Sequence, residues 1–169
     1  MEPLQSRWSL RASLHHHLDG DLPLLAGKRV LVAESDPMAR RALTGVLRSM
    51  GLDVTETSDG GRMLVALTSQ YKGGRSPEDL DLIITDVDMP VIGGLELFRV
   101  LRAAHWTTPV IFVTGDDSTE IRESVARLGA VLLPKPIDLD KLELTVRALL
   151  ARPPSSGRSV DTQAAPKPH

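Results

Sequence analysis

The sequence predicts an α/β fold, a doubly wound five-stranded parallel sheet built from five successive strand–helix units, (βα)5. Short apolar runs alternate with stretches of helical periodicity from residue 28 to residue 151, and capping residues or glycines separate them. The second strand has the alternating pattern of a half-exposed edge strand. Since right-handed crossovers place helices on both faces of such a sheet, these observations predict the strand order 2-1-3-4-5.

The first strand–helix unit is followed by the edge strand. The apolar run 30–33 is typical of a buried parallel strand. Asp36 and Pro37 then provide an N-cap and a first-turn proline for a helix that Gly51 ends. Apolar and polar residues alternate over 52–55, which predicts the second strand.

The remaining units repeat this alternation. Asp59 caps the second helix, and a polar loop at 71–79 leads to the third strand. Asp117 and Glu120 have the spacing of a capping box for the fourth helix, which Gly129 ends. The other strands are apolar runs and the other helices carry apolar residues at helical spacing: strands at 82–84, 110–113 and 131–133, and helices after Gly94, Asp117 and Asp138.

The composition of the 169 residues excludes several classes of protein. Aromatic residues make up 3% of the chain, so the core is expected to be aliphatic. The lack of cysteine excludes a disulfide scaffold and a thiolate metal site, and it suits a reducing compartment. The net charge of -2 without a basic stripe does not favour nucleic-acid binding. No apolar run reaches the roughly 18 residues that a membrane span needs.

Changes in composition divide the chain into three parts. Residues 1–27 lack a sustained hydrophobic period and are interpreted as an N-terminal extension. Residues 28–151 form the predicted domain. Residues 152–169 are rich in Pro, Ser and Ala, and this composition predicts a disordered tail. The tail is too short for a further folded domain such as a DNA-binding or cyclase domain.

Polar residues with complementary chemistry follow four of the predicted strands. Ligands bind outside the carboxyl ends of the strands in such sheets, at the switch point between strands one and three. Residues just beyond the strands are therefore expected to share one rim. They comprise acids, a hydroxyl and a lysine: Glu34, Asp86, Asp88, Thr114 and Lys135.

This set of side chains points to phosphoryl chemistry. Neighbouring carboxylates repel and need a cation, and oxygen ligands without His or Cys select Mg²⁺ before Ca²⁺. A carboxylate beside Mg²⁺ can attack phosphorus and become an acyl phosphate, whose oxygens Lys135 and the Thr114 hydroxyl would compensate. Taken singly, Asp36 is a helix cap, Thr114 a strand end and Lys135 a surface lysine. Only their placement together at one edge of the sheet supports the interpretation as a phosphoryl site.

Four segments give the chain a family resemblance over residues 28–151. It resembles the receiver domain of two-component response regulators, the CheY-like domains with a flavodoxin-like fold. The form Leu133-Pro134-Lys135-Pro136-Ile137 is most similar to receivers of hybrid histidine kinases. The segments that carry the resemblance are residues 30–37, residues 86–97, Val113-Thr114-Gly115 and residues 133–136.

The resemblance implies a cytoplasmic signalling phosphoacceptor and not an enzyme. Asp86 would accept a phosphoryl group from a histidine kinase or a histidine phosphotransfer protein. Because the tail is too short for an output domain, the signal would pass on through contact with a downstream protein effector, by onward phosphotransfer or through a partner chain. The Glu34 and Asp86 side chains and the Asp88 main-chain carbonyl would hold Mg²⁺. Thr114 and Lys135 would contact the phosphoryl group, and the peptide bond after Lys135 would be cis.

Two further positions of the family tune loss of the phosphoryl group. Asp88 and Asp116 occupy these positions.

Two positions of this sequence depart from the family pattern. Ser35 stands where the family has a second acid, so we expect weaker Mg²⁺ binding that the longer Glu34 side chain partly offsets. Leu132 stands where the family often has Tyr or Phe, which makes the usual readout through the fourth and fifth helices doubtful.

Two alternatives remain open. Ser35 and Leu132 motivate a pseudo-receiver that binds proteins without being phosphorylated, although Asp86, Thr114 and Lys135 are all present. The Asp86-Val87-Asp88 segment also resembles the DxD motif of haloacid-dehalogenase-type phosphatases. In those enzymes the lysine precedes the later acidic motif, whereas Lys135 follows it here, and the chain has no room for a cap domain.

Overall fold

The fold is described by a computed structural model over residues 25–69 and 80–151. Strands and helices alternate through these residues. The predicted loop at 71–79, the tail at 152–169 and residues 1–24 lie outside them. In chain order the elements are β1 Arg29–Ala33, α1 Pro37–Ser49, β2 Asp53–Thr57, α2 Gly60–Ser69, β3 Leu82–Asp86, α3 Gly94–Ala103, β4 Val110–Thr114, α4 Thr119–Arg127, β5 Val131–Pro134 and α5 Leu139–Leu150.

The five strands form one sheet in the order β2-β1-β3-β4-β5, and every neighbouring pair is parallel. This confirms the predicted fold class and strand order. β2 lies at an edge and is largely exposed, whereas every residue of β3 and of β4 is buried. The apolar runs of the sequence therefore correspond to the strands that helices cover on both faces.

The two faces of the sheet pack against different helices because side chains alternate along each strand. Val30 and Val32 of β1 join a cluster with α1 and α5. Leu31 and Ala33 join a cluster with α2, α3 and α4. The core is mostly aliphatic, as predicted, and each fully buried Leu or Ile side chain contributes about 2 kcal/mol to folding.

Leu25, four residues before β1, is 3% exposed and belongs to the α1–α5 cluster. The Gly27 amide donates a hydrogen bond to the Gly51 carbonyl, 3.2 Å away, beyond the end of α1. The predicted boundary between an N-terminal extension and the domain stays a prediction, since residues 1–24 lie outside the described part. No helix in the described ranges is long and apolar enough to cross a membrane.

The helix caps follow the sequence except at α4. Asp36 accepts hydrogen bonds from the Met38 and Ala39 amides, and Asp138 caps α5 in the same way. The capping box predicted at Asp117 is wrong. Ser118 is the N-cap of α4 and accepts a hydrogen bond from the Ile121 amide at 3.4 Å. The physical reason is that the Asp117 carboxylate pairs with the Arg122 guanidinium, which leaves the short Ser118 hydroxyl to reach the free amide.

The turn between β3 and α3 packs too closely for a side chain at two glycines. A Cβ atom on Gly94 would lie 2.2 Å from the Asp86 carbonyl oxygen and 2.7 Å from the Thr85 hydroxyl oxygen. A Cβ atom on Gly60, at the start of α2, would lie 2.0 Å from the Ile92 carbonyl oxygen. These approaches fix the backbone directly after Asp86, where the candidate site lies.

Candidate functional site

Asp86 is the last residue of β3, and its carboxylate is held from two sides. The residue is 6% exposed. One carboxylate oxygen, Oδ2, lies 2.6 Å from Nζ of Lys135, and the other, Oδ1, accepts a hydrogen bond from the Asp88 amide at 3.0 Å. Asp86 thus keeps a small exposed fraction at the carboxyl edge of the sheet.

Glu34 follows β1 and completes a cluster of two carboxylates around one ammonium group. The residue is fully buried. Its Oε1 accepts a hydrogen bond from the Asp36 amide at 3.0 Å, and its Oε2 lies 2.8 Å from Nζ of Lys135. The second contact is an ion pair without the direction of a good hydrogen bond, so Oε2 keeps unused acceptor capacity. The cluster carries a net negative charge.

The two carboxylates keep Lys135 charged. Burial lowers the pKa of the Lys135 ammonium, but the hydrogen bond to Asp86 and the close negative charges of Asp86 and Glu34 together raise it above its ordinary value. The ammonium is therefore a permanent positive charge in the site at neutral pH. The lysine side chain is 26% exposed, so it also reaches the solvent side of the rim.

Thr114 lies beside this cluster and is tied to it through the backbone. The Lys135 amide donates a hydrogen bond to the Thr114 carbonyl at 2.7 Å. The Thr114 hydroxyl is fully buried and accepts a hydrogen bond from the Asp116 amide at 3.0 Å. The peptide bond between Lys135 and Pro136 is cis, as the resemblance implied. The structure thus brings Asp86, Glu34 and Lys135 into contact and holds the Thr114 hydroxyl on a loop amide.

The donor set suits a hard divalent cation. All available ligands are oxygens, and two buried carboxylates share a single ammonium group. Among the residues that the structure describes, no group of three or more His, Cys, Asp or Glu side chains could hold a metal ion. A cation at Glu34 and Asp86 would therefore need main-chain carbonyls and water as further ligands. The residues fit Mg²⁺, which commonly keeps several waters.

The two residues that depart from the family pattern, Ser35 and Leu132, both lie in the described part of the structure. Ser35 is exposed, directly beside the buried Glu34. Leu132 is half-buried in β5, opposite Phe112 of β4, and packs against the α2–α3–α4 cluster. Asp88 and Asp116 are exposed at the rim, where substitutions would not disturb the core.

Sequence reasoning missed Arg40, which contacts the loop that carries Glu34. The guanidinium Nη1 donates hydrogen bonds to the Glu34 carbonyl at 2.6 Å and to the Ser35 carbonyl at 3.3 Å. The sequence signal that could have identified it is its distance from the helix cap. Arg40 lies one helical turn after the Asp36 cap, which directs its side chain back towards the loop.

Comparison with known proteins identifies the family. The model of the response regulator receiver domain matches residues 30–147. The chain belongs to the receiver domain family of response regulators. This family is a signalling domain of two-component systems, and the assignment agrees with the strand order and with the resemblance read from the sequence.

Receiver domains from different kinds of protein are similar to this chain. The transcriptional regulatory protein FixJ of Azorhizobium caulinodans is 35% identical over 136 residues, which are 80% of this chain and 61% of FixJ. The receiver domain of the histidine kinase CKI1 from Arabidopsis thaliana, solved with Mg²⁺ and BeF₃⁻, is 28% identical with a TM-score of 0.62. That match covers 80% of this chain and 97% of the solved CKI1 chain.

The receiver domain of the hybrid histidine kinase CckA is 31% identical with a TM-score of 0.56, and the match covers 72% of this chain and 98% of that one. The similarity to receivers of hybrid kinases is thereby confirmed. The chain spans less than two thirds of the length of FixJ, whereas it covers nearly all of the solved receiver domains.

Proposed function

We propose that this receiver domain is a working phosphoacceptor in the cytoplasm, and that it takes a phosphoryl group on Asp86 from a histidine kinase or a histidine phosphotransfer protein with Mg²⁺. The observation that carries the proposal is the Lys135 ammonium, which lies 2.6 Å from the Asp86 carboxylate and 2.8 Å from the Glu34 carboxylate on one rim. A pseudo-receiver would have no need for a nucleophile, a counter-charge and a second acid in contact.

Asp86 would act as the nucleophile. One carboxylate oxygen attacks phosphorus, a new C–O–P linkage forms, and the bond from phosphorus to the leaving group breaks. The electron pair of the broken bond goes to the leaving group, which is the imidazole of the donor histidine and takes up a proton. The Asp88 amide, 3.0 Å from Oδ1, holds the carboxylate in its orientation during the attack.

Lys135 and Thr114 would compensate the charge of the transferred group. The Lys135 ammonium is already at the carboxylate, and its raised pKa keeps it protonated, so it can move from Asp86 to a phosphoryl oxygen without a proton transfer. The Thr114 hydroxyl would leave the Asp116 amide, now 3.0 Å away, to donate to a second phosphoryl oxygen. This exchange of partners would connect phosphorylation to the loop before α4.

Mg²⁺ would be held by the Glu34 and Asp86 carboxylates and the Asp88 carbonyl. When bound, it would supply positive charge to the carboxylates and to the phosphoryl group. Ser35 leaves this set one acid short of the family pattern, which supports weaker binding. Partners on the output side would be proteins, and FixJ, a transcriptional regulatory protein, illustrates one kind of output found among relatives.

The role of Ser35 gives a direct prediction. Ser35→Asp is expected to bind Mg²⁺ about tenfold more tightly than the wild type, because one added carboxylate close to a divalent cation is worth about 1–4 kcal/mol. Titration calorimetry measures the two dissociation constants. Ser49→Asp, the same change at the far end of α1, is the control and should leave the affinity unchanged. Equal affinities for the wild type and Ser35→Asp would count against a metal site at this loop.

The proposed function is tested by the mass of the protein after incubation with acetyl phosphate and Mg²⁺. We expect the wild type to gain one phosphoryl group, and Asp86→Asn to gain none because an amide is a poor nucleophile. Asp53→Asn, an exposed acid of the edge strand β2, is the control and should behave as the wild type does. An unmodified wild type would support the pseudo-receiver instead.

A further inference from the structure

Arg40 connects the first turn of α1 to the loop that precedes the helix. Its backbone amide donates a hydrogen bond to the Asp36 carbonyl at 2.9 Å, which is the first turn of the helix. From that position its Nη1 reaches back to the Glu34 carbonyl at 2.6 Å and the Ser35 carbonyl at 3.3 Å. One guanidinium thus contacts two successive carbonyls of the loop.

These contacts restrain the backbone from which the Glu34 carboxylate projects. The Glu34 amide donates to the Thr57 carbonyl at 3.2 Å, and Oε1 of Glu34 accepts from the Asp36 amide at 3.0 Å. Without the Arg40 contacts, the Glu34 carbonyl would need another donor, although the residue is fully buried. The Asp36 amide thus holds the carboxylate, and Arg40 holds the main chain that carries it.

Glu56 of β2 is a second, more distant partner of the guanidinium. Its Oε2 is 3.9 Å from Nε of Arg40, and its Oε1 is 3.4 Å from Nη2 of Arg48. The Glu56 side chain is 42% exposed, so this ion pair is weak. The strong contacts of Arg40 are those with the loop, since its own side chain is 21% exposed and one contact is a short charge-assisted hydrogen bond.

We propose that Arg40 is a positioning residue for the phosphorylation site, which fixes the 34–36 loop so that the Glu34 carboxylate faces the cation and Lys135. This inference rests on the proposed function and adds a residue to it. Positioning and charge predict opposite effects. Removal of a positive charge would by itself tighten Mg²⁺ binding, whereas loss of the two carbonyl contacts would weaken it.

The test compares Arg40→Met and Arg40→Lys with Arg41→Met. Arg41 is an exposed neighbour with no side-chain hydrogen bond or ion pair to the described residues, so it is a matched control. We expect Arg40→Met to weaken Mg²⁺ binding about tenfold, the lower end of the effect of outer-shell groups on metal affinity, and Arg41→Met to change it less than twofold. Arg40→Lys should resemble Arg40→Met, because the lysine side chain is one bond shorter and its ammonium does not reach the position of Nη1, which serves both carbonyls.

A second readout needs no metal. The Asp36 amide, which donates to the Glu34 carboxylate, should exchange its hydrogen faster in metal-free Arg40→Met than in metal-free Arg41→Met. Unchanged or tighter Mg²⁺ binding in Arg40→Met would overturn the inference, as would wild-type affinity in Arg40→Lys. If the wild type neither binds Mg²⁺ nor gains a phosphoryl group, the proposed function fails instead, and the exchange rate of Asp36 still decides whether Arg40 holds the loop.

Discussion

Lys135→Met is expected to slow phosphorylation of Asp86 about 100-fold, since loss of one charge-stabilising donor commonly lowers a rate by about 10²–10³. The same change is expected to tighten Mg²⁺ binding. Lys135 occupies the Asp86 and Glu34 carboxylates at 2.6 and 2.8 Å, so its removal leaves both free for the cation. Intact-mass measurements with acetyl phosphate give the rate, and titration calorimetry gives the affinity.

Slower phosphorylation together with tighter Mg²⁺ binding distinguishes the predicted effect from misfolding of the variant. A misfolded variant would lose both phosphorylation and Mg²⁺ binding. Lys141→Met removes an exposed lysine of α5 and should match the wild type in both measurements. A Lys135→Met variant that is phosphorylated at the wild-type rate would contradict the role assigned to the ammonium.

The same variant gives a pH dependence with a defined sign. The pKa of Lys135 is raised above its ordinary value of 10.5 in the folded protein, so its contribution to stability is complete below pH 10.5 and is lost as the pH rises through the folded value. Without metal, Lys135→Met should lower the free energy of unfolding by about 1–2 kcal/mol, less than for a fully buried pair because the lysine is 26% exposed. Urea unfolding should show this difference constant near neutral pH and smaller above pH 10.5.

Gly94→Ala is expected to lower the free energy of unfolding by about 3 kcal/mol, the upper part of the range for overpacking. The new Cβ atom would lie 2.2 Å from the Asp86 carbonyl oxygen, and that oxygen belongs to the backbone of a buried strand that cannot move alone. Any relaxation shifts Asp86, so phosphorylation by acetyl phosphate should also slow. Urea unfolding measures the stability of the variant.

Gly45→Ala is the matched control for Gly94→Ala. Gly45 lies inside α1, and a Cβ atom there would meet nothing within 4 Å. Because glycine is unfavourable in a helix interior, this substitution should stabilise the protein by about 0.5–1 kcal/mol. Equal stability of the two alanine variants would contradict the close packing described at the β3–α3 turn.

The sequence predicted the strands well because burial on both faces of a parallel sheet requires continuous apolar runs. The runs at 82–84 and 110–113 correspond to β3 and β4, whose residues are all buried. The exposed edge strand was identified by its alternating pattern. Residues that directly follow parallel strands lie at the same edge of the sheet, so their positions predicted which side chains would be neighbours. The contacts of Lys135 with Asp86 and Glu34 agree with that expectation.

What the sequence left undetermined depends on contacts between side chains and on local backbone geometry. Ser118 caps α4 instead of Asp117, because the pairing of Asp117 with Arg122 is decided by side-chain positions. Val91 adopts a φ of 76°, which is rare for a β-branched residue and has no signal in the local sequence. The contacts of Arg40 with the loop carbonyls also depend on how its side chain is placed. The sequence does not reveal this, because arginine on the first turn of a helix is usually a solvated side chain.

Reductive trapping identifies the residue that carries the phosphoryl group, which we expect to be Asp86. Borohydride reduces an aspartyl phosphate to homoserine, and tandem mass spectrometry locates the modified residue in a digest. After incubation with acetyl phosphate and Mg²⁺, we expect homoserine at position 86 and no reduced residue at any other acid. Homoserine at Asp88 or Asp116, hydroxynorvaline at Glu34, or no reduced residue in a protein whose intact mass has increased would show that Asp86 does not carry the phosphoryl group.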